Sequence, residues 1–122
     1  MVQMEFKQSG VLAALINADE ALLNELPFGV VKMDLNGTVL EYNDTEAKLS
    51  GLSRENVIGR NFFTQVAPCT NNFMVAERYH QNEAIDEIID YVFTYRMRPT
   101  EVRLRMLKDA NQATQFLLVE RI

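Results

Sequence analysis

The segment FGVVKMDLNGTVLEY, residues 28–42, constrains the fold more than any other part of this chain. Two runs rich in β-branched and apolar residues flank Asn36-Gly37, a pair that supplies the positive φ angles of a tight reversal, so an antiparallel hairpin forms here. Three further strands are expected near the C-terminus: Glu87 to Arg98, Glu101 to Lys108 and Thr114 to Ile122, separated by Pro99-Thr100 and by the polar turn DANQA. In the first, Tyr91, Phe93, Tyr95 and Met97 share one face and Val92, Thr94, Arg96 and Arg98 the other. In the second, Arg103 and Arg105 oppose Val102, Leu104 and Met106.

Short helical pieces fill the middle. Asn43 caps a helix running to about Ser50 with Gly51 as its left-handed C-cap, and Ser53 starts another turn ending near Val57. Asn61 caps one apolar turn that Pro68 terminates. Residues 73–86 predict a longer connecting helix, with Phe73, Ala76, Tyr79, His80 and Ala84 near one side. Ahead of the hairpin, residues 11–16 and 19–26 predict two short helices, the second opened by Asp19 and closed before Pro27. The expected class is α+β, a five-stranded antiparallel sheet with helices packed on one face. Residues 1–26 form an N-terminal helical cap and residues 27–122 the core of a single domain.

Composition removes several function classes. A chain of 122 residues has room for one core. Cys69 is the only cysteine and His80 the only histidine, which excludes a disulfide framework and a Cys/His zinc site. Net charge is −5, with 14 acidic and 6 basic side chains in residues 1–90 but 3 and 6 in residues 91–122, a balance that argues against nucleic acid as partner. The apolar run Val11 to Ile16 is too short for a membrane span or a secretory core, so a cytoplasmic protein is expected.

Cys69 follows Pro68 at the end of a broken turn, where backbone N–H groups are free. Such a thiol is a nucleophile, a covalent anchor, or an inert hydrophobe, and position alone favours the last. His80, among Gln81, Asn82 and Glu83, reads as a surface residue and not as the base that a cysteine hydrolase requires. Glu46 stands three residues after Asn43, the spacing of a capping box. Tyr42 lies one helical turn before it and reads on its own as a partly buried anchor with a wet hydroxyl. The stripe of Tyr91, Phe93, Tyr95 and Met97 reads by period as core, as do Phe62 and Phe63.

Taken together, FGVVKMDLNGTVLEYN, VIGRNFF followed at once by VAPCT, and YVFTYRMRPTEV resemble the photoactive yellow protein family of light-sensing PAS domains, from about Leu26 onward. The VAPCT pentapeptide, some two dozen residues after Tyr42 and Glu46, is far more specific than a general PAS pattern. The resemblance implies p-coumaric acid (4-hydroxycinnamic acid) held as a thioester on Cys69. It implies Tyr42 and Glu46 as hydrogen-bond donors to the buried phenolate, and Ser50, where the family usually has threonine, as the partner of the tyrosine. Val31, Leu52, Phe62, Val66, Ala67, Thr70, Tyr91, Phe93, Tyr95 and Met97 match the family's pocket wall. Leu52 replaces the family's usual arginine, and the stretch between Cys69 and Tyr91 is a few residues shorter.

The residue types suit that chemistry. A buried phenolate needs strong donors, and a protonated carboxyl donates where a carboxylate cannot. Apolar burial raises the pKa of Glu46, while hydrogen bonds to the charged form lower that of the phenol. The resemblance implies a blue-light receptor without catalytic turnover, in which trans-to-cis isomerisation and proton transfer from Glu46 leave a buried carboxylate that loosens the cap. It would signal to a downstream protein, as a monomer or weak dimer. The competing reading is a light-independent PAS sensor or protein-interaction domain binding another ligand.

Overall fold

The structure is a computed structural model that describes residues 4–95 and 98–122. Five antiparallel strands, β1 (Gly29–Asp34), β2 (Val39–Tyr42), β3 (Ile85–Tyr95), β4 (Arg98–Lys108) and β5 (Thr114–Arg121), lie in the order β2-β1-β5-β4-β3. The first hairpin therefore pairs with the last strand of the chain. Lys32 to Met33 carries a register shift, and the connecting loop is organised by the Asp34 carboxylate, which accepts from the N–H groups of Asn36 and Thr38 at 2.9 Å each. Gly37 supplies a positive φ of 93°.

The free edge of β2 is covered by residues 59–62. Gly59 N–H donates to Val39 O, Val39 N–H to Arg60 O and Phe62 N–H to Gly37 O, at 2.8 to 2.9 Å. These bonds seat the VIGRNFF segment against the hairpin and bring Phe62 into the core.

Helices α1 (Val11–Ile16) and α2 (Glu20–Asn24) precede the sheet; α3 (Asp44–Ser50), α4 (Arg54–Val57) and α5 (Ala76–Gln81) follow β2, with a π-helical turn Phe62–Val66 and a 3-10 turn Pro68–Thr70 between the last two. Asp19 caps α2 through Leu22 N–H, and Asn61 caps the π turn through the N–H groups of Phe63 and Thr64.

Helices cover both faces of the sheet rather than one. Val31, Met33, Val102, Leu104, Met106, Leu117 and Val119 point into a core shared with the π turn and α5. The alternate positions Val30, Leu107, Phe116 and Leu118 pack under Phe6, Val11, Leu15, Leu23 and Leu26. The N-terminal segment is also latched by Arg105, whose guanidinium pairs with Asp86 and donates to the carbonyls of Phe6 and Gln8 at 2.9 and 2.7 Å.

Two expectations need correction. The connecting helix is only Ala76–Gln81: Phe73 is exposed, as are His80 and Ala84, and the Asn82 side chain closes the helix by donating to Arg78 O. Ile85 and Asp86 belong instead to the 11-residue strand β3, because the ladder with β4 captures them. Pro99 and Thr100 are not a strand break. They lie inside β4 opposite Thr94 and Phe93, in a ladder that extends to the pair Tyr95 and Arg98. Pro99 is tolerated because β5 pairs with β4 only from Val102 onward, so its missing N–H faces no neighbouring strand.

Candidate functional site

Hairpin, α3 and the two short turns converge on one side of the sheet. Tyr42 ends β2 opposite Val31, and both are fully buried. Its hydroxyl donates to Ser50 Oγ at 2.9 Å, and Ser50 Oγ also accepts from Leu52 N–H at 3.1 Å. The bond reaches across α3 because Ser50 is the last residue of that helix, where Gly51, at φ 75°, turns the chain back toward the core.

Glu46 is fully buried on α3. Of the capping box only the forward half forms: Asn43 Oδ1 accepts from Glu46 N–H at 3.0 Å, but Asn43 N–H donates to Val30 O at 3.1 Å rather than to the glutamate. The carboxyl turns to the backbone of β1 at Gly29. A Cβ placed there would collide with Glu46 Oε1 and lie 3.1 Å from its Cδ, so only glycine leaves the carboxyl its position.

Asn43 does more than cap. Its Oδ1 also accepts from Val30 N–H at 2.9 Å, and its Nδ2 donates to Leu23 O at 2.8 Å and Phe28 O at 3.0 Å. One buried carboxamide thus joins α2, β1 and the first turn of α3, with Thr45 Oγ1 donating to Leu26 O beside it.

Cys69 is half-buried, is not in a disulfide, and packs against the core cluster from the 3-10 turn. Its neighbour Thr70 is buried and bonded through its hydroxyl to Ala67 O at 2.7 Å. The Cys69 carbonyl accepts from the Tyr91 hydroxyl of β3 and from Asn72 Nδ2 at 3.1 Å, while Asn72 Nδ2 and the Tyr91 hydroxyl are 2.7 Å apart. Asn72 Oδ1 accepts from the N–H groups of Met74 and Val75. The cysteine backbone is therefore pinned to both β3 and the approach to α5.

Val31, Tyr42, Phe62, Val66, Ala67 and Phe93 belong to one buried cluster, and Leu52, Cys69 and Tyr91 are half-buried against it. Glu46, Ser50 and Thr70 are the buried polar groups among them. Tyr91 and Phe93 meet edge to face at 5.8 Å. Tyr95 closes β3 opposite Arg98, and Met97 lies outside the described residues. Gly29, Asn43 as a junction and the Asn72–Tyr91 contact carry no sequence signal beyond local turn and cap preference, because the partners involved are distant in sequence. Among the described residues no group of three or more His, Cys, Asp or Glu could hold a metal ion, and no helix is long and apolar enough to cross a membrane.

The five-stranded antiparallel sheet with its short helices is a PAS fold, and the PAS fold model matches residues 17–119. The photoactive yellow protein of Rhodothalassium salexigens is 33% identical over 125 residues, covering 100% of both chains, and that of Halochromatium salexigens is 34% identical over 122 residues, covering 98% of each. The crystal structure of the photoactive yellow protein domain from the sensor histidine kinase Ppr of Rhodospirillum centenum superposes with a TM-score of 0.81 at 35% identity, over 89% of this chain and 98% of that one. The chain belongs to the photoactive yellow protein family of PAS photoreceptors, which are receptors and not enzymes.

Proposed function

We propose that this protein is a blue-light receptor that carries p-coumaric acid as a thioester on Cys69 Sγ and works in the cytoplasm by signalling to a downstream protein partner. The donor set fits that group. The thiol packs against the apolar cluster and would be the site of attachment, and the buried Tyr42, Ser50 and Glu46 would supply the polar groups that a phenolate oxygen requires. Attachment needs an activated acyl donor made elsewhere, whose leaving group the Cys69 thiolate displaces.

When bound, the chromophore supplies visible absorption and a double bond that light isomerises from trans to cis. The protein's part is to hold and move protons. Either hydroxyl of the Tyr42–Ser50 pair can donate, so rotation of both lets Ser50 donate to Tyr42 and turns the tyrosine proton toward the phenolate oxygen. Protonated Glu46 is the second donor. After isomerisation Glu46 passes its proton to that oxygen and is left as a carboxylate in a fully buried position.

A buried, uncompensated charge costs several kcal/mol. The strain has a route out through the first turn of α3, where Asn43 bonds both Glu46 N–H and the Leu23 carbonyl of α2. Loosening of α2 and of the segment before it would then expose the sheet face beneath them to the partner.

The observation that carries this reading is a free Cys69 packed against the buried cluster that holds Tyr42, itself bonded to the buried Ser50, in a chain of this family. The test is to offer purified apoprotein an activated p-coumarate. A yellow, hydroxylamine-labile adduct is expected on Cys69 and none on a folded Cys69→Ser variant. A wild-type protein that stays colourless sinks the proposal and leaves a light-independent PAS sensor.

A further inference from the structure

The basic surplus of residues 91–122 plays no part in the function proposed above. Part of it gathers at one end of the sheet face that carries Val102, Leu104 and Val119. Val102 stands opposite Arg121, and alternation places Arg98 and Thr100 on the face of Val102, and Arg121 on that of Val119. Where the buried apolar positions of β4 and β5 end, these three continue the same face. Lys48, Ser50 and Gly51, at the C-terminal end of α3, form the opposite wall of a groove with a volume of about 390 Å³.

The charges here differ from the paired cations of the molecule. Arg54, Arg78, Arg103 and Arg105 each pair with a carboxylate. Among the described residues no carboxylate pairs with Lys48, Arg98 or Arg121, all three cations are exposed, and no carboxylate lines the groove. The end of α3 turns carbonyls toward this region, which attract cations and not anions. Any attraction for an anion therefore rests on the three side chains. Two guanidinium forks and an ammonium match the several oxygens of a phosphate group, and the Thr100 hydroxyl adds a neutral donor.

We propose that this groove binds one phosphate group, held by Lys48, Arg98 and Arg121 behind the Tyr42–Ser50 pair, either as free phosphate or as part of a larger phosphorylated metabolite. Ser50 belongs to both places: it lines the groove, and its Oγ accepts the Tyr42 hydroxyl. An occupant would sit one side chain away from the buried polar end of the receptor site. The binding itself does not depend on attachment of a chromophore.

Isotope-labelled full-length protein, without chromophore, is titrated with inorganic phosphate at constant ionic strength balanced by chloride, following the amides of residues 48–51, 98, 100 and 121. Saturable shifts confined to these residues are expected. Arg98→Gln/Arg121→Gln should weaken binding by roughly tenfold or more. Arg60→Gln removes an exposed charge from the loop covering β2 and should leave binding unchanged. Adenosine monophosphate in a parallel titration separates the two sources: affinity equal to that of phosphate means the group alone is read, and tighter binding assigns the groove to a larger ligand. Shifts that never saturate, that chloride reproduces, or that persist in the double variant overturn the proposal. Failure of Cys69 to take up p-coumarate bears only on the receptor reading and leaves this result standing.

Discussion

The carboxyl of Glu46 rests against the backbone of Gly29, a contact that leaves no room for a Cβ at residue 29. Gly29→Ala has no backbone obstacle, since residue 29 is in β1, so its whole effect falls on Glu46. The carboxyl has to move, at a cost on the order of 1–3 kcal/mol. Urea unfolding should report that loss, and the dark absorption band of chromophore-bearing protein should shift. A band in its original position would separate Glu46 from the phenolate.

Glu46→Gln keeps a hydrogen-bond donor in the buried position but no transferable proton. The illuminated state should form without net carboxyl deprotonation and with a smaller change in amide exchange across residues 4–26. Infrared difference spectra that still show loss of a buried carboxyl would move the proton donor elsewhere.

Asn72→Ala removes the donor to Cys69 O and to Tyr91, and the acceptor for the N–H groups of Met74 and Val75. Since Asn72 touches neither Tyr42 nor Glu46, the dark absorption maximum should stay within a narrow range. The dark geometry of the cysteine backbone loses about 1–2 kcal/mol of support, so thermal recovery after a flash should slow by up to roughly fivefold to thirtyfold. Recovery at the wild-type rate would mean that the clamp on Cys69 is not felt by the photocycle.

Leu52 is half-buried against the core cluster, with its N–H on Ser50. A guanidinium at about 6 Å from a phenolate favours the anion by roughly 3 kcal/mol at an effective dielectric near 20, or about two pKa units, less with solvent screening. Leu52→Arg should therefore lower the phenol pKa in a spectral titration, and wild-type protein should hold some protonated, blue-shifted chromophore at mildly acidic pH. A rise in pKa would show that residue 52 faces away from the site.

Burial pushes the Tyr79 phenol far above its ordinary pKa. Its hydroxyl donates to Phe116 O at 2.7 Å, which ties α5 to β5. Its folded pKa lies above its unfolded one, so the stability it contributes is complete below about pH 10 and falls as pH rises from there toward the folded value. Tyr79→Phe should lower stability by about 1 kcal/mol at pH 8 and flatten the alkaline loss between pH 9.5 and 11. Parallel unfolding curves for the two proteins across that range would exclude Tyr79 as the titrating group.

Local chemistry made the two hairpin strands, the capped ends of α2 and α3 and the Asn61 turn legible, because each depends on residues a few positions apart: Asp19 on Leu22, Asn43 on Glu46, Gly51 on Ala47. The VAPCT motif together with Tyr42, Glu46 and Ser50 carried the resemblance to the photoactive yellow protein family, to which the chain belongs. Tertiary structure decided what those rules leave open. Residues 82–86 have helix-compatible composition, yet β4 draws Ile85 and its neighbours into a ladder, since strand pairing with a buried face outweighs a weak local propensity. Pro99 looked like a break until the short reach of β5 left its nitrogen without a partner to miss. The coverage of both sheet faces, the bonds of Asn43 to α2 and β1, the clearance at Gly29 and the bond of Tyr91 to the Cys69 carbonyl all join residues 13 or more positions apart or set a side chain against a distant backbone. Such contacts exist only once the chain has closed on itself, because sequence spacing specifies local geometry while burial and packing specify which distant groups must make room for one another.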